Sequence, residues 1–170
     1  MSAYDHSGQV AELKSRISAI RFAMFTTIDE HGHLVSRPMT IQDIDAEGNL
    51  WCYTSSETDL WQNIAAQPQV NLSFAEPKDS VYVSVSGHAE RIVERARIRD
   101  MWTPAVQAWF PHGPDDPHAM LVRVVSHSAE YWDASASGMV QLYQIARAVL
   151  TGTTPNEGEP RVGEHARFDL

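Results

Sequence analysis

Cys52 is the sole cysteine of the chain, so no internal disulfide exists and the fold must hold by packing alone. That usage suits a reducing compartment. Positive charge is scarce as well: 13 Lys and Arg against 22 Asp and Glu leave a net charge of −9, which repels nucleic acid and anionic membrane surfaces. The nearest thing to a basic run, Arg91 to Arg99, is interleaved with Glu94 and followed by Asp100, and it reads as a solvated helix face. No apolar stretch approaches the length of a membrane span, and Met1 to Val10 shows no basic region followed by an apolar one. The expectation is a cytoplasmic protein without nucleic-acid or membrane partners. Neither G-x-G-x-x-G nor G-x-x-x-x-G-K-[ST] occurs, so the common dinucleotide and triphosphate loops are missing; the G-x-S-x-G elbow of serine hydrolases is missing too.

What is present is a chain of 170 residues, 43% hydrophobic, with five Trp, enough to close one core; a single domain over residues 1–170 is expected. Val10, Leu13, Ile17 and Ile20 share a helical stripe and open the chain as an amphipathic helix. Strands follow at Arg21–Ile28, His33–Met39, Thr40–Ile44 and Leu50–Thr54, with turn signals at Asp29-Glu30-His31-Gly32 and Asp45-Ala46-Glu47-Gly48-Asn49. Thr58 is placed to cap a short helix carrying Leu60, Trp61, Ile64 and Ala65. Strands return at Gln69–Phe74 and from Val81 to Val93, with Gly87 marking a bulge. Two helices are expected over Glu94–Trp102 and Thr103–Trp109, then a strand over Leu121–Asp133 and a final helix over Ser137–Leu150. Hairpin-joined strands with helices at the ends and crossings predict a mainly β fold with flanking helices: a six-stranded antiparallel barrel rather than a parallel sheet.

Two clusters can carry chemistry. Ser36-Arg37-Pro38-Met39 ends a strand, and Thr54-Ser55-Ser56, with Thr58 close by, leads from a strand into a helix. Hydroxyls and amides at a helix start suit an anion, and Arg37 adds a permanently charged clamp. Helix capping alone also explains the hydroxyls, and solvent exposure explains Arg37. Trp109-Phe110 and Tyr131-Trp132 are able to stack on a flat ring or to pack in a core or dimer contact. The eight His include His31-x-His33 in a turn and His112, Asp115, Asp116 and His118 in one loop; neither group supplies a closed ligand set, so no metal site is expected. His127 near Glu130 reads as an acid–base pair or as two barrel-rim residues.

Taken in order, several segments resemble the pyridoxamine 5′-phosphate oxidase-like FMN-binding split-barrel superfamily, and within it the bacterial general stress protein branch. They are Phe25-Thr26-Thr27, Ser36-Arg37-Pro38-Met39, Trp51-Cys52-Tyr53-Thr54-Ser55, and Tyr82 to Gly87 with Ala89. Trp109-Phe110-Pro111 with Gly113 and Asp115-Asp116-Pro117, Ala129 to Asp133, and Met139 to Tyr143 complete the set. The resemblance implies a Greek-key split barrel working as a homodimer, with FMN in a groove at the subunit interface. It implies that Arg37, Pro38 and Met39 line the flavin, that Thr54, Ser55 and Ser56 hold its ribityl chain and phosphate, and that Trp109 and Trp132 cover the ring from the partner subunit. The implied activity is flavin-dependent oxidoreduction of a small molecule; a flavin reservoir or sensor, or a barrel holding haem or deazaflavin instead, are the alternatives. Two departures matter. Leu60 stands where the family commonly has a phosphate-binding Lys, which implies weaker FMN binding. The Arg-Leu-His substrate motif of the vitamin B6 oxidases is missing near the C-terminus, which argues against pyridoxamine phosphate oxidation.

Overall fold

The computed structural model of the chain describes residues 3–20, 22–133 and 164–169. Helix α1 spans Ala3–Ile17 and buries Val10, Leu13 and Ile17, the stripe expected from their spacing. Strands β1 (Phe22–Ile28), β2 (Leu34–Ile44) and β3 (Leu50–Ser55) then form an antiparallel meander. Its two turns are built alike. In the first, the Asp29 carboxylate accepts the amides of His31 and His33, and Gly32 takes a φ of 82°. In the second, Asp45 accepts the amides of Glu47 and Asn49, and Gly48 takes a φ of 83°. An Asp that closes on amides two and four residues ahead, with glycine at the left-handed position, explains why both hairpins were legible as turns.

Helix α2 (Asp59–Ala66) carries the chain across to β4 (Gln69–Glu76), which pairs with β1 rather than with β3. That return gives the Greek-key order β3-β2-β1-β4. Strands β5 (Val81–Ile92) and β6 (Ala119–Asp133) follow, and β6 closes on β3, making a six-stranded antiparallel barrel. Between them lie the short helices α3 (Arg95–Asp100) and α4 (Pro104–Gln107), both shorter than their sequence pattern suggested. The barrel is filled by inward side chains that include Phe25, Leu50, Leu60, Leu72, Val85, Val122 and Val124, all with no exposed area. A smaller core of Trp51, Tyr53, Ile98, Val106, Phe110, Ala119 and Leu121 seats α3 and α4 against the outside of β3 and β6.

Three features depart from the sequence reading. The segments expected as separate strands, His33–Met39 and Thr40–Ile44, are one strand, because a bulge between Ile41 and Asp43 bends β2 instead of ending it. A seventh strand, β7 (Glu164–Asp169), adds to β6 along the edge that β3 leaves free. His127 is not set against Glu130 but against His88 on β5. The helix expected over 137–150 lies outside the described residues. The expected bulge at Gly87 is present, and glycine is required there, since a Cβ would lie 2.2 Å from the carbonyl oxygen of Val125.

Candidate functional site

The site begins where the β2–β3 ladder stops. Pairing ends at Ile41 opposite Cys52, and beyond that point β3 continues along β6, with Tyr53 opposite Leu121 and Ser55 opposite Ala119. Residues 37–40 of β2 and 53–55 of β3 therefore diverge, and a groove of about 390 Å³ opens between them. Pro38 stands on this stretch of β2, opposite Met24 of β1 but without a partner on β3, where a residue without an N–H costs no ladder bond to β3.

Arg37, Pro38, Met39, Thr54, Ser55 and Trp109 all line this one groove. At its polar end the strand-to-helix turn is tightly self-bonded. Thr54 Oγ1 lies 3.0 Å from Thr58 Oγ1, the Thr58 hydroxyl donates to the Ser55 carbonyl at 2.8 Å, and Thr58 Oγ1 accepts the Trp61 amide at 3.3 Å. Thr58 thus caps α2, while its neighbours Asp59 and Leu60 begin the first turn, whose amides have no intrahelical acceptors. The helix is fixed from below by burial of Leu60 and Ile64 and by Asn63 donating to Thr27 Oγ1 at 3.0 Å. The Arg37 guanidinium is 3.9 Å from the Asp59 carboxylate, so the groove's cation shares its field with an exposed anion. Ser56 is outside the groove; its hydroxyl and its amide both meet His118, at 3.2 and 2.9 Å.

The other end is apolar. Met39 joins Phe22, Val106 and Phe110 on the wall, and the indole of Trp109, 76% exposed, stands beside it in the same chain. Trp132 is elsewhere, opposite Tyr82 on the outer face of β5 and β6, and takes no part in the groove of its own chain. Tyr53 is held by a 2.6 Å hydrogen bond to the Ile98 carbonyl, and burial pushes its hydroxyl up to about 12 against a smaller opposing effect of Arg97. Cys52 is buried with its thiol likewise pushed up to about 12, which makes it inert.

Sequence reasoning missed Gln42, Tyr53 and Val106 as wall residues, and left Phe110 between ring stacking and core packing. Gln42 is the extra residue of the β2 bulge, and that irregularity turns it to the groove, where Thr103 donates to its Oε1. A second cavity of about 550 Å³, between the end of α1 and the bulged end of β2, shares Phe22, Thr40, Gln42 and Ala105 with the first. Among the described lining residues of the first groove, Arg37 and Tyr53 are the ionisable ones.

A Greek-key barrel split between β2 and β3, with a groove cationic and hydroxyl-rich at one end and apolar at the other, defines a ligand-binding split-barrel protein. The chain belongs to the family described as pyridoxamine 5′-phosphate oxidase like, whose model matches residues 8–156. Over 154 residues it is 27% identical to the protein bli-3 of Neurospora crassa, covering 85% of this chain and 74% of that one. Among solved structures, a candidate general stress protein 26 from Jannaschia sp. CCS1 is 29% identical and superposes with a TM-score of 0.67, covering 96% of this chain and 99% of that chain. The general stress FMN/FAD binding protein of Xanthomonas citri is 25% identical with a TM-score of 0.62, covering 77% and 90%.

Proposed function

We propose that the split between β2 and β3 is an FMN site and that the chain is a general-stress-type flavoprotein acting as a homodimer in the cytoplasm. The carrying observation is the polarity of the groove. Arg37 and the Thr54–Thr58 turn gather donors at one end, while Met39, Val106, Phe110 and Trp109 present a flat apolar wall at the other. That donor set fits a flavin mononucleotide: a phosphate at the helix start, where dipole and amides favour an anion, and a ring against the apolar wall. The Xanthomonas citri relative, described as FMN/FAD binding, supports the same reading. When bound, the flavin supplies the redox chemistry; the protein binds, orients and shields it. Arg37 clamps the phosphate, Thr54 and Ser55 meet the ribityl and phosphate oxygens, and Ser56 holds the turn through His118. In the dimer, Trp132 covers the ring held by the other copy.

Oxidoreduction of a small molecule is the leading activity. A second reading, a flavin reservoir or sensor, is favoured by the titratable hydroxyl of the wall: Tyr53 is pushed up to about 12 and tied to a carbonyl. It does not serve as a general acid or base near neutrality. Steady NAD(P)H oxidation with an electron acceptor separates the enzyme from the reservoir.

The site itself is tested by titrating FMN and riboflavin against the wild type and Arg37→Ala, followed by flavin fluorescence. Loss of a charge-assisted hydrogen bond is worth about 1.5–3 kcal/mol, so FMN affinity should fall roughly 10- to 150-fold while riboflavin affinity holds. Equal binding of the two ligands, unmoved by the substitution, would overturn the assignment.

A further inference from the structure

Strands β5 and β6 slip register at one place. Ser86 faces Ser128 and Gly87 faces Ser126, so His127 is the extra residue of a bulge on β6. The slip sets its imidazole against His88 of β5, with His127 Nε2 and His88 Nδ1 2.8 Å apart. One of these two nitrogens must carry the proton between them. The other nitrogen of His88, Nε2, lies 3.5 Å from Glu90 Oε1, and Glu90 Oε2 is held by Arg123 at 2.5 and 2.9 Å. The Arg123-paired carboxylate of Glu90 thus faces His88. The tautomer with its hydrogen on Nε2, the side that faces the carboxylate, leaves Nδ1 as a lone pair turned to His127.

From this geometry we infer that His88 and His127 form a chelating site for a divalent first-row transition-metal ion. Two imidazole nitrogens at about 2.0–2.1 Å from one ion, at a right angle, are about 2.8–3.0 Å apart; the two nitrogens now point at each other at 2.8 Å, and rotation of the two rings turns both lone pairs onto one ion. The ion takes the place of the bridging proton, which leaves to solvent. Glu90 is the positioning residue: it orients His88 from behind, as carboxylates do behind metal-bound histidines. Among the described residues no group of three or more His, Cys, Asp or Glu is placed to hold an ion, so water completes the coordination. The site is a two-ligand chelate on the barrel surface, separate from the groove, whose lining includes neither histidine. The bulge is what makes it, since regular pairing would not set two histidines against each other here.

The test uses untagged full-length protein, stripped with EDTA and titrated with Cu2+, the strongest binder of the divalent series. Calorimetry gives the affinity, and electron paramagnetic resonance counts the coordinating nitrogens. One ion per chain with two imidazole nitrogens is expected. His88→Ala and His127→Ala should each weaken binding at least tenfold and reduce the signal to one nitrogen, with circular dichroism unchanged. Glu90→Gln should weaken binding about tenfold while keeping both nitrogens. The double variant His31→Ala, His33→Ala, which removes the exposed pair in the first turn, should bind as the wild type does. Binding that survives loss of His88 or His127, that vanishes with His31 and His33, or that is absent from the wild type would overturn the site.

Discussion

Leu60 sits in the first turn of α2 with no exposed area, packed into the barrel core with Phe25, Ile64 and Leu72. Its position in the sequence is the one at which the family resemblance implies a phosphate-binding lysine, yet its side chain does not line the groove. The groove's cation is Arg37, from the opposite strand. A lysine at position 60 puts an ammonium into a core with no partner for it. Leu60→Lys is therefore expected to cost about 3–5 kcal/mol of stability and to lower the melting temperature, with no gain in FMN affinity. A variant of unchanged melting temperature that binds FMN more tightly would show that the side chain reaches the groove. At this scale the sequence is informative where chemistry is local. Thr58 as a cap and Gly87 at a bulge follow from their neighbours. The wall positions of Tyr53 and Val106 do not, because they depend on where two strands part.

The turns between elements carry much of the order of the fold. The Asp45 carboxylate accepts from the amides of Glu47 and Asn49, from Asn49 Nδ2 and, at 2.9 Å, from Trp51 Nε1. Burial, the largest single influence, acts to raise its pKa, but the hydrogen bonds from Trp51, Asn49 and Glu47 together outweigh it and hold the group below its ordinary value. A carboxyl depressed in the folded state stabilises fully above its unfolded pKa, near 3.9, and loses that contribution as pH falls through the lower folded value. Stability should thus decline on acidification below about pH 5. In a series of thermal melts, Asp45→Asn should be less stable at neutral pH and show a shallower acid decline; parallel curves for the two proteins would count against this role. The elements themselves were legible where apolar residues alternate or recur, as in α1 and β5. Strand β7 was not, since Glu164-His165-Ala166-Arg167-Phe168-Asp169 has no strong apolar alternation and is ordered by backbone pairing with β6.

At the scale of the whole molecule, the outer face of the sheet holds the case for a dimer. Met24 opposes Pro38 and Ser73, Ser73 opposes Ser84, and Tyr82 opposes Trp132, forming a surface of small polar side chains with exposed Met24, Tyr82 and Trp132 among them. A two-fold contact through one self-complementary patch is the simplest way to cover it. Light scattering should give twice the 19.0 kDa chain mass, and Met24→Lys should shift it toward one chain; a wild-type mass of one chain would remove the dimer. The antiparallel barrel was legible from hairpins and helices in order, and its Greek-key arrangement from the family resemblance. The groove was legible only as two separated clusters, because the split that joins them is a property of the closed barrel. The most direct measurement is the visible spectrum of the purified protein after addition of FMN and desalting. A retained flavin spectrum at one flavin per chain, lost from Arg37→Ala, is the expected result. A colourless wild type would mean that the split between β2 and β3 is not a flavin site.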